Sequence, residues 1–218
     1  YVKKKNIYNQ MSQVLVGYDH TGSILQFDAD GNILAGGTKY KNVIILPFSR
    51  LLVKDEIKKG TFSMTLGVGT AYSGTGTEFS STITITDASG SNGYFVNSPV
   101  GEYGILVGAG SAMAGGSTAA VGLLYYQAGI AVLTASVFSS ALQTPTVAMN
   151  ETGEVFEAVL TGSNIETNAN LIRRRIKNIQ FNNTTELNST IYFCRANHGE
   201  FNYSTNPTYT SASKIRVK

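Results

Sequence analysis

Short apolar runs separated by turn-forming residues occupy most of the chain, a pattern typical of proteins built from short β-strands. Residues Thr61–Leu66 and Ser81–Thr86 alternate with a period of two, which predicts half-buried strands. Val43–Leu46 is a continuous apolar run that ends at Pro47. We therefore expect a mainly β fold, either a β-sandwich or a jelly-roll-like arrangement. Further strands are predicted over Gly104–Val107, Val121–Tyr126, Ile130–Phe138 and Val155–Leu160.

The N-terminus is the strongest helix candidate. Its apolar residues fall on one face of a helix, and Gly17 follows as a stop signal. The sequence thus predicts an N-terminal helix or arm over residues 1–17 and a single β-rich domain over residues 18–218. The predicted apolar face comprises Ile7, Tyr8, Met11, Val14 and Leu15.

Helices elsewhere are predicted to be minor and short. Asn168–Ile176 is a candidate helical turn, whereas Leu51–Lys59 fits either a short charged helix or a loop. The chain starts at Tyr1 and ends within a strand-like run, so we expect the native protein to extend beyond both ends.

The C-terminal third carries a predicted hairpin. Ile176–Phe181 and Thr190–Arg195 are rich in β-branched and aromatic residues, and turn-prone residues Asn182–Ser189 connect them. Cys194, the single cysteine, lies in the second of these runs, so we expect a buried, unreactive thiol. One cysteine allows no intrachain disulfide, which suits assembly in a reducing compartment.

A long stretch from Tyr103 to Asn150 contains no Asp, Glu, Lys, Arg or His. Soluble surfaces normally keep charges interspersed, so this stretch is expected in a membrane, a core or a subunit interface. Ala119–Phe138 is long enough to span a bilayer as a helix, but its glycines and its lack of basic flanks argue against a span. We therefore expect core strands together with a subunit interface, excluded from water.

Composition points to assembly rather than to a polyanionic ligand. Charged residues make up 14% of the 218 residues, below the usual quarter, so a free monomer would risk self-association. The formal net charge of +3 is too small to indicate nucleic-acid binding.

Several motifs are candidates for chemical sites, and each is incomplete. Asp28–Asn32 resembles the start of a calcium loop, but loop position 12 is Lys39, so an ordinary turn is the better interpretation. Gly67–Tyr72 lacks the third glycine of a dinucleotide-binding motif. Cys194, His198 and Glu200 lack a fourth zinc ligand. The sequence therefore predicts no catalytic residue, no cofactor and no metal.

Clusters of basic residues are the remaining site candidates, as contacts with carboxylates of partner subunits. Lysines in the first turn of a helix oppose the helix dipole, which favours an acidic partner there. At the C-terminus, alternate cations share one face of a predicted strand. The interface candidates are Lys3, Lys4, Lys5, Arg173, Arg174, Arg175, Lys214, Arg216 and Lys218.

Four segments in order, Tyr8–Asp19, Phe48–Gly60, Gly122–Gly129 and Phe193–Ser204, carry a resemblance to a known family. Together they resemble virion structural proteins of marine and other large tailed bacteriophages, mostly myoviruses with contractile tails. The resemblance runs over most of the chain and implies no enzyme activity and no catalytic residue. It also implies a further strand pair beyond the C-terminus.

The expectation is thus a non-enzymatic structural subunit of a tailed-phage virion, in the baseplate, tail or neck, assembled in the cytoplasm of the bacterial host. Its expected partners are other copies of itself and neighbouring virion proteins, without direct nucleic-acid contact. Two alternatives stay open: a head decoration or vertex protein, and a receptor- or carbohydrate-binding β-sandwich.

Overall fold

The computed structural model describes residues 2–33, 36–68, 79, 81–87, 89–109, 118–138, 165–194, 210–211 and 214–215. These residues form a mainly β fold with an N-terminal helix and short helices elsewhere, as predicted. The helices are α1 (Val2–Leu15), α2 (Arg50–Val53) and α3 (Ile165–Arg175), with a 3-10 helix at Ala135–Phe138. The strands are β1 (Val43–Pro47), β2 (Glu56–Ile57), β3 (Ser63–Val68), β4 (Ser81–Thr86), β5 (Phe95–Ser98), β6 (Gly101–Ala109), β7 (Ala119–Tyr125), β8 (Ile130–Thr134), β9 (Ile176–Gln180), β10 (Asn183–Thr184), β11 (Thr210–Ser211) and β12 (Lys214–Ile215).

The chain divides into two compact units, Tyr1–Thr185 and Glu186–Lys218. The first unit contains an eight-stranded antiparallel sheet in the order β1-β8-β7-β6-β4-β3-β9, with β5 paired to the start of β6. Helix α1 belongs to this unit and packs on its sheet. In the second unit, β11 and β12 form a two-stranded antiparallel sheet.

The main sheet is strongly curled. Seven strands laid flat would separate the two edges by about 29 Å at the usual strand spacing. Yet Phe48, which follows edge strand β1, and Phe181, which follows edge strand β9, have ring centroids only 5.5 Å apart. The two halves of the sheet therefore face each other in a sandwich-like arrangement around one core.

Both faces of the central strands are buried. Leu124 and Leu133 point into the core enclosed by the curl, whereas Leu123 and Val132 point to the opposite face. That opposite face is covered by α1 and by the segment that follows it. This two-sided burial explains why β7 and β8 read as continuous apolar runs.

The charge-free stretch is largely buried where the structure describes it. Residues 103–109 and 118–138 form β6, β7, β8 and the 3-10 helix, and most of their side chains are buried or half-buried. Burial within the chain's own core therefore accounts for the missing charges in these residues. No described helix is long and apolar enough to cross a membrane.

Helix α1 matches the predicted helix, but its buried face is narrower. Tyr8, Met11 and Leu15 pack on the sheet, whereas Ile7 and Val14 are 41% and 56% exposed. The helix ends where the amides of Val16 and Gly17 both donate to the Ser12 carbonyl. Gly17 has a φ of +92°, so the predicted glycine stop is confirmed.

The predicted C-terminal hairpin is wrong in its second half. Strand β9 forms as expected, but it pairs with β3 rather than with the segment that follows it. Residues Thr190–Cys194 form no strand and are exposed. The connection instead contributes β10, which pairs with β2. Long-range pairing in the first unit has thus replaced the local hairpin that the sequence pattern favoured. Arg195 lies outside the described residues, as does the predicted strand Val155–Leu160.

Candidate functional site

The α2 surface, defined here as Arg50, Leu51, Leu52 and Lys54, is the candidate interface in the first unit. Leu51 is 87% exposed and Leu52 is 61% exposed, whereas the next residue, Val53, is completely buried. Covering a leucine side chain on association contributes about 1.5–3 kcal/mol. The α2 surface therefore offers an apolar contact with basic residues on either side.

Several contacts anchor α2 to the sheet and hold its two leucines outward. Ser49 caps the helix, and its hydroxyl accepts a hydrogen bond from the Leu51 amide at 3.3 Å. The Arg50 guanidinium donates to the Gln127 carbonyl at 2.5 Å. Asn183 Nδ2 donates to the Leu52 carbonyl at 3.0 Å. The leucines are therefore exposed on a fixed element.

Below α2, Val53 fills the space left by a glycine. A methyl group on Gly129 would lie 2.7 Å from Val53 Cγ2, so a side chain at residue 129 would displace the helix. Lys54 then ends α2 with a φ of 57° and a ψ of −120°, a conformation that costs a non-glycine residue about 1–3 kcal/mol. Such strained residues are concentrated at functional sites, which supports α2 as a candidate.

The predicted arginine cluster is split by the structure. Arg173 and Arg174 are exposed in the last turn of α3, where cations favour the helix dipole. Arg175 is only 1% exposed, so its assignment as an interface cation is wrong. Its guanidinium donates to the Gly67 carbonyl at 3.1 Å and lies 5.4 Å from the Phe79 ring centroid. Burial lowers the pKa of Arg175 to about 10.

The other predicted cations do not gather in one described site. Lys3 and Lys5 are exposed in the first turn of α1, and Lys4 is half-buried. That turn contains no acidic residue, so its lysines remain unfavourable for the helix dipole. Lys214 lies in β12, whereas Arg216 and Lys218 lie outside the described residues.

Lys59 forms the densest ionic cluster in the first unit. Its ammonium contacts the Glu102 carboxylate and lies 3.8 Å from Glu56 Oε1. It also lies 4.7 Å from the Tyr94 ring centroid and 5.6 Å from that of Tyr126. Burial alone would lower the pKa of Lys59, but its carboxylate partners outweigh burial and raise it. A lysine held protonated in this way ties β2 to β6 and is a poor nucleophile.

Asp87 stabilises the connection between β2 and β3. Its carboxylate accepts hydrogen bonds from the amides of Gly60 at 2.8 Å and Phe62 at 2.9 Å. Burial raises the pKa of Asp87 despite these bonds. The arrangement resembles a helix cap in its chemistry and leaves both carboxylate oxygens engaged with backbone.

The Asp28 region contains an internal ion pair. Lys39 contacts the Asp28 carboxylate across an isolated antiparallel bridge between these two residues. Burial would raise the pKa of Asp28, but hydrogen bonds with Lys39 and Asp30 hold it below its ordinary value. Asp30 accepts from Asn32 Nδ2 at 2.6 Å, which stabilises the turn expected there.

The cysteine prediction is wrong in its burial. Cys194 is a free, exposed thiol, and Ile191, Tyr192 and Phe193 before it are 74–93% exposed. His198 and Glu200 lie outside the described residues. In the described part of the chain, no group of three or more His, Cys, Asp or Glu side chains could hold a metal ion.

Sequence reasoning missed the α2 surface and both ion pairs. The apolar run at residues 51–53 gave no sign of which side chain would be buried. The spacing between Asp28 and Lys39 was visible as two charges flanking a glycine-rich turn, a pattern that can place them across a hairpin. Comparison with protein-family models finds no match, and comparisons with curated proteins and with solved structures find no significant match.

Proposed function

We propose that this protein is a non-enzymatic structural subunit of a tailed-bacteriophage virion, in the baseplate, tail or neck. The observation that carries the proposal is the α2 surface, where a well-anchored helix holds Leu51 and Leu52 exposed. Such apolar side chains suit the core of a permanent subunit contact, because obligate interfaces are more apolar than transient ones. The resemblance of four segments to phage structural proteins supplies the virion as the assembly.

The ionic clusters also support a structural role. Lys59 and Asp87 are each engaged with neighbouring groups of the chain's own fold. Both are used to join elements, and neither stands beside a second group poised for proton transfer to a substrate. The partners in this proposal are other copies of the chain and neighbouring virion proteins.

Three consecutive residues provide a matched test of the α2 surface. In Leu51→Asp/Leu52→Asp, we expect a folded chain that no longer enters particles assembled in host cells supplying the variant. Val53→Asp buries a charge and should instead prevent folding, which circular dichroism would detect. Normal incorporation of the double variant would rule out the α2 surface as an interface.

The function itself is tested by composition and position. Mass spectrometry of purified particles should detect the chain at a fixed ratio to other virion proteins, and a particle reconstruction should place it in the baseplate, tail or neck. A chain missing from purified particles would overturn the proposed function whatever the variants do.

A further inference from the structure

The Asp28 cluster, defined here as Asp28, Asp30, Gly37, Lys39 and Tyr40, brings an amine and two carboxyl groups together. Asp28 and Lys39 face each other across an antiparallel bridge, and the Lys39 ammonium contacts Asp28 Oδ2. The Asp28 side chain is completely buried, and that of Lys39 is 17% exposed. The reactive atoms of an amine and an acid are thus held in contact away from bulk water.

The second carboxyl group lies next to the first. A methyl group on Gly37 would lie 3.1 Å and 3.5 Å from the two oxygens of Asp28, and 3.4 Å from Asp30 Oδ2. The carboxylates of Asp28 and Asp30 therefore converge on one small space. Gly37 leaves this space open, and its φ of +79° favours glycine.

The surroundings of Asp28 are apolar and aromatic. Phe27, Tyr40 and Tyr103 are all at least nine-tenths buried in the adjoining core. Asp28 Oδ1 has no hydrogen-bond partner among the described residues. Burying an ion pair whose oxygens are incompletely bonded is costly, because the desolvation of both charges is poorly offset. Any reaction that removed both charges would be favoured here.

We infer that Lys39 and Asp28 condense into an intramolecular isopeptide bond, with Asp30 as the proton relay. A proton first passes from the Lys39 ammonium to the Asp28 carboxylate, which gives a neutral amine and a neutral acid. Lys39 Nζ then attacks Asp28 Cγ and transfers a proton to the Asp30 carboxylate. Asp30 returns this proton to the hydroxyl group that leaves Asp28 Cγ. One C–N bond forms, one C–O bond breaks, and a single water molecule is released.

The direct test is the intact mass of the purified chain under denaturing conditions. We expect a mass lower than that of the sequence by one water molecule. Trypsin requires a free lysine side chain, so it should cut after Lys5 and Lys41 but not after Lys39. The digest should then contain the peptide from residue 6 to residue 41, also lighter by one water. A full-mass chain that trypsin cuts after Lys39 would overturn the inference.

Variants separate this bond from other losses of water. Lys39→Arg and Asp28→Ala should both restore the full mass, whereas Lys41→Arg, an exposed neighbour, should not change the loss. Asp30–Gly31 could lose water by forming a succinimide, but that product would persist in Lys39→Arg and would leave Lys39 open to trypsin. A loss that persists in Lys39→Arg would therefore overturn the isopeptide bond. Asp30→Asn should leave most of the chain at full mass, and complete condensation in that variant would overturn the relay role of Asp30.

Discussion

The contact between Tyr126 and Gly104 allows a quantitative test of the packing in the first unit. Tyr126 is completely buried, and a methyl group on Gly104 would lie 2.1 Å from its hydroxyl oxygen. The next nearest atom, Tyr126 Cζ, would be 3.1 Å away. The hydroxyl lies near Asp87 but has no hydrogen-bond partner among the described residues. The hydroxyl oxygen is thus the main obstacle to a side chain at residue 104.

Gly104→Ala should destabilise the protein because the methyl group must displace this oxygen. Overpacking of this kind costs about 1–3 kcal/mol. Alanine recovers about 0.5–1 kcal/mol through its lower backbone entropy in a strand, so the net cost should be roughly 1–2 kcal/mol. Tyr126→Phe removes a buried hydroxyl that lacks a partner, and it should change the free energy of unfolding by less than about 1 kcal/mol.

The informative quantity is the coupling between the two substitutions. In the Tyr126→Phe background, Gly104→Ala should cost at least about 1 kcal/mol less than in the native background, since the blocking atom is gone. Urea unfolding followed by circular dichroism gives the four free energies of the cycle. Gly36→Ala, where a methyl group would meet no atom within 4 Å, is the control and should be nearly neutral. Equal costs of Gly104→Ala in both backgrounds would refute the packing argument.

Three further predictions concern titration, a buried cation and the thiol. Burial raises the pKa values of Tyr40, Tyr103, Tyr125 and Tyr126, so their contribution to stability is complete below pH 10 and is lost as pH rises through the folded-state values. Tyrosinate absorbance, undisturbed in a chain without tryptophan, should therefore rise in two steps, the second coinciding with unfolding by circular dichroism; a single step with the fold intact would contradict this. Arg175→Ala should cost about 2–5 kcal/mol in urea unfolding, whereas its exposed neighbour gives a control in Arg174→Ala, expected within about 0.5 kcal/mol of native; similar costs for both would contradict the burial of Arg175. Cys194 should react with a thiol reagent as fast in the folded chain as in urea, and slow labelling would show that the thiol is protected.

The strands with a clear local pattern could be predicted from the sequence. The predicted run Ser81–Thr86 coincides with β4, and the run Val43–Leu46 ending at Pro47 gives β1. In these segments the alternation or continuity of apolar residues reports directly on how many faces are buried. The local signal and the tertiary environment agree, so the pattern is sufficient.

Elsewhere the tertiary environment decides, and local pattern fails. Thr190–Cys194 has strand-like composition, but the pairing positions that it was expected to fill are taken by β3 and β10. The arginines 173–175 are chemically identical in sequence, yet helix geometry places only the third under Phe79. In the same way, neither the exposure of Leu51 nor the burial of Val53 can be read from three consecutive apolar residues.

The origin of the low charge bears on where assembly contacts lie. Residues 103–109 and 118–138 lack charges because both faces of β6, β7 and β8 are covered by the chain's own core clusters. These described residues are thus not available to a partner subunit without unfolding. Contacts in the proposed assembly must use side chains that the fold leaves outside, and in the first unit α2 provides two large apolar ones side by side. The uncharged stretch therefore explains the stability of the subunit, while α2 is the place to look for its partners.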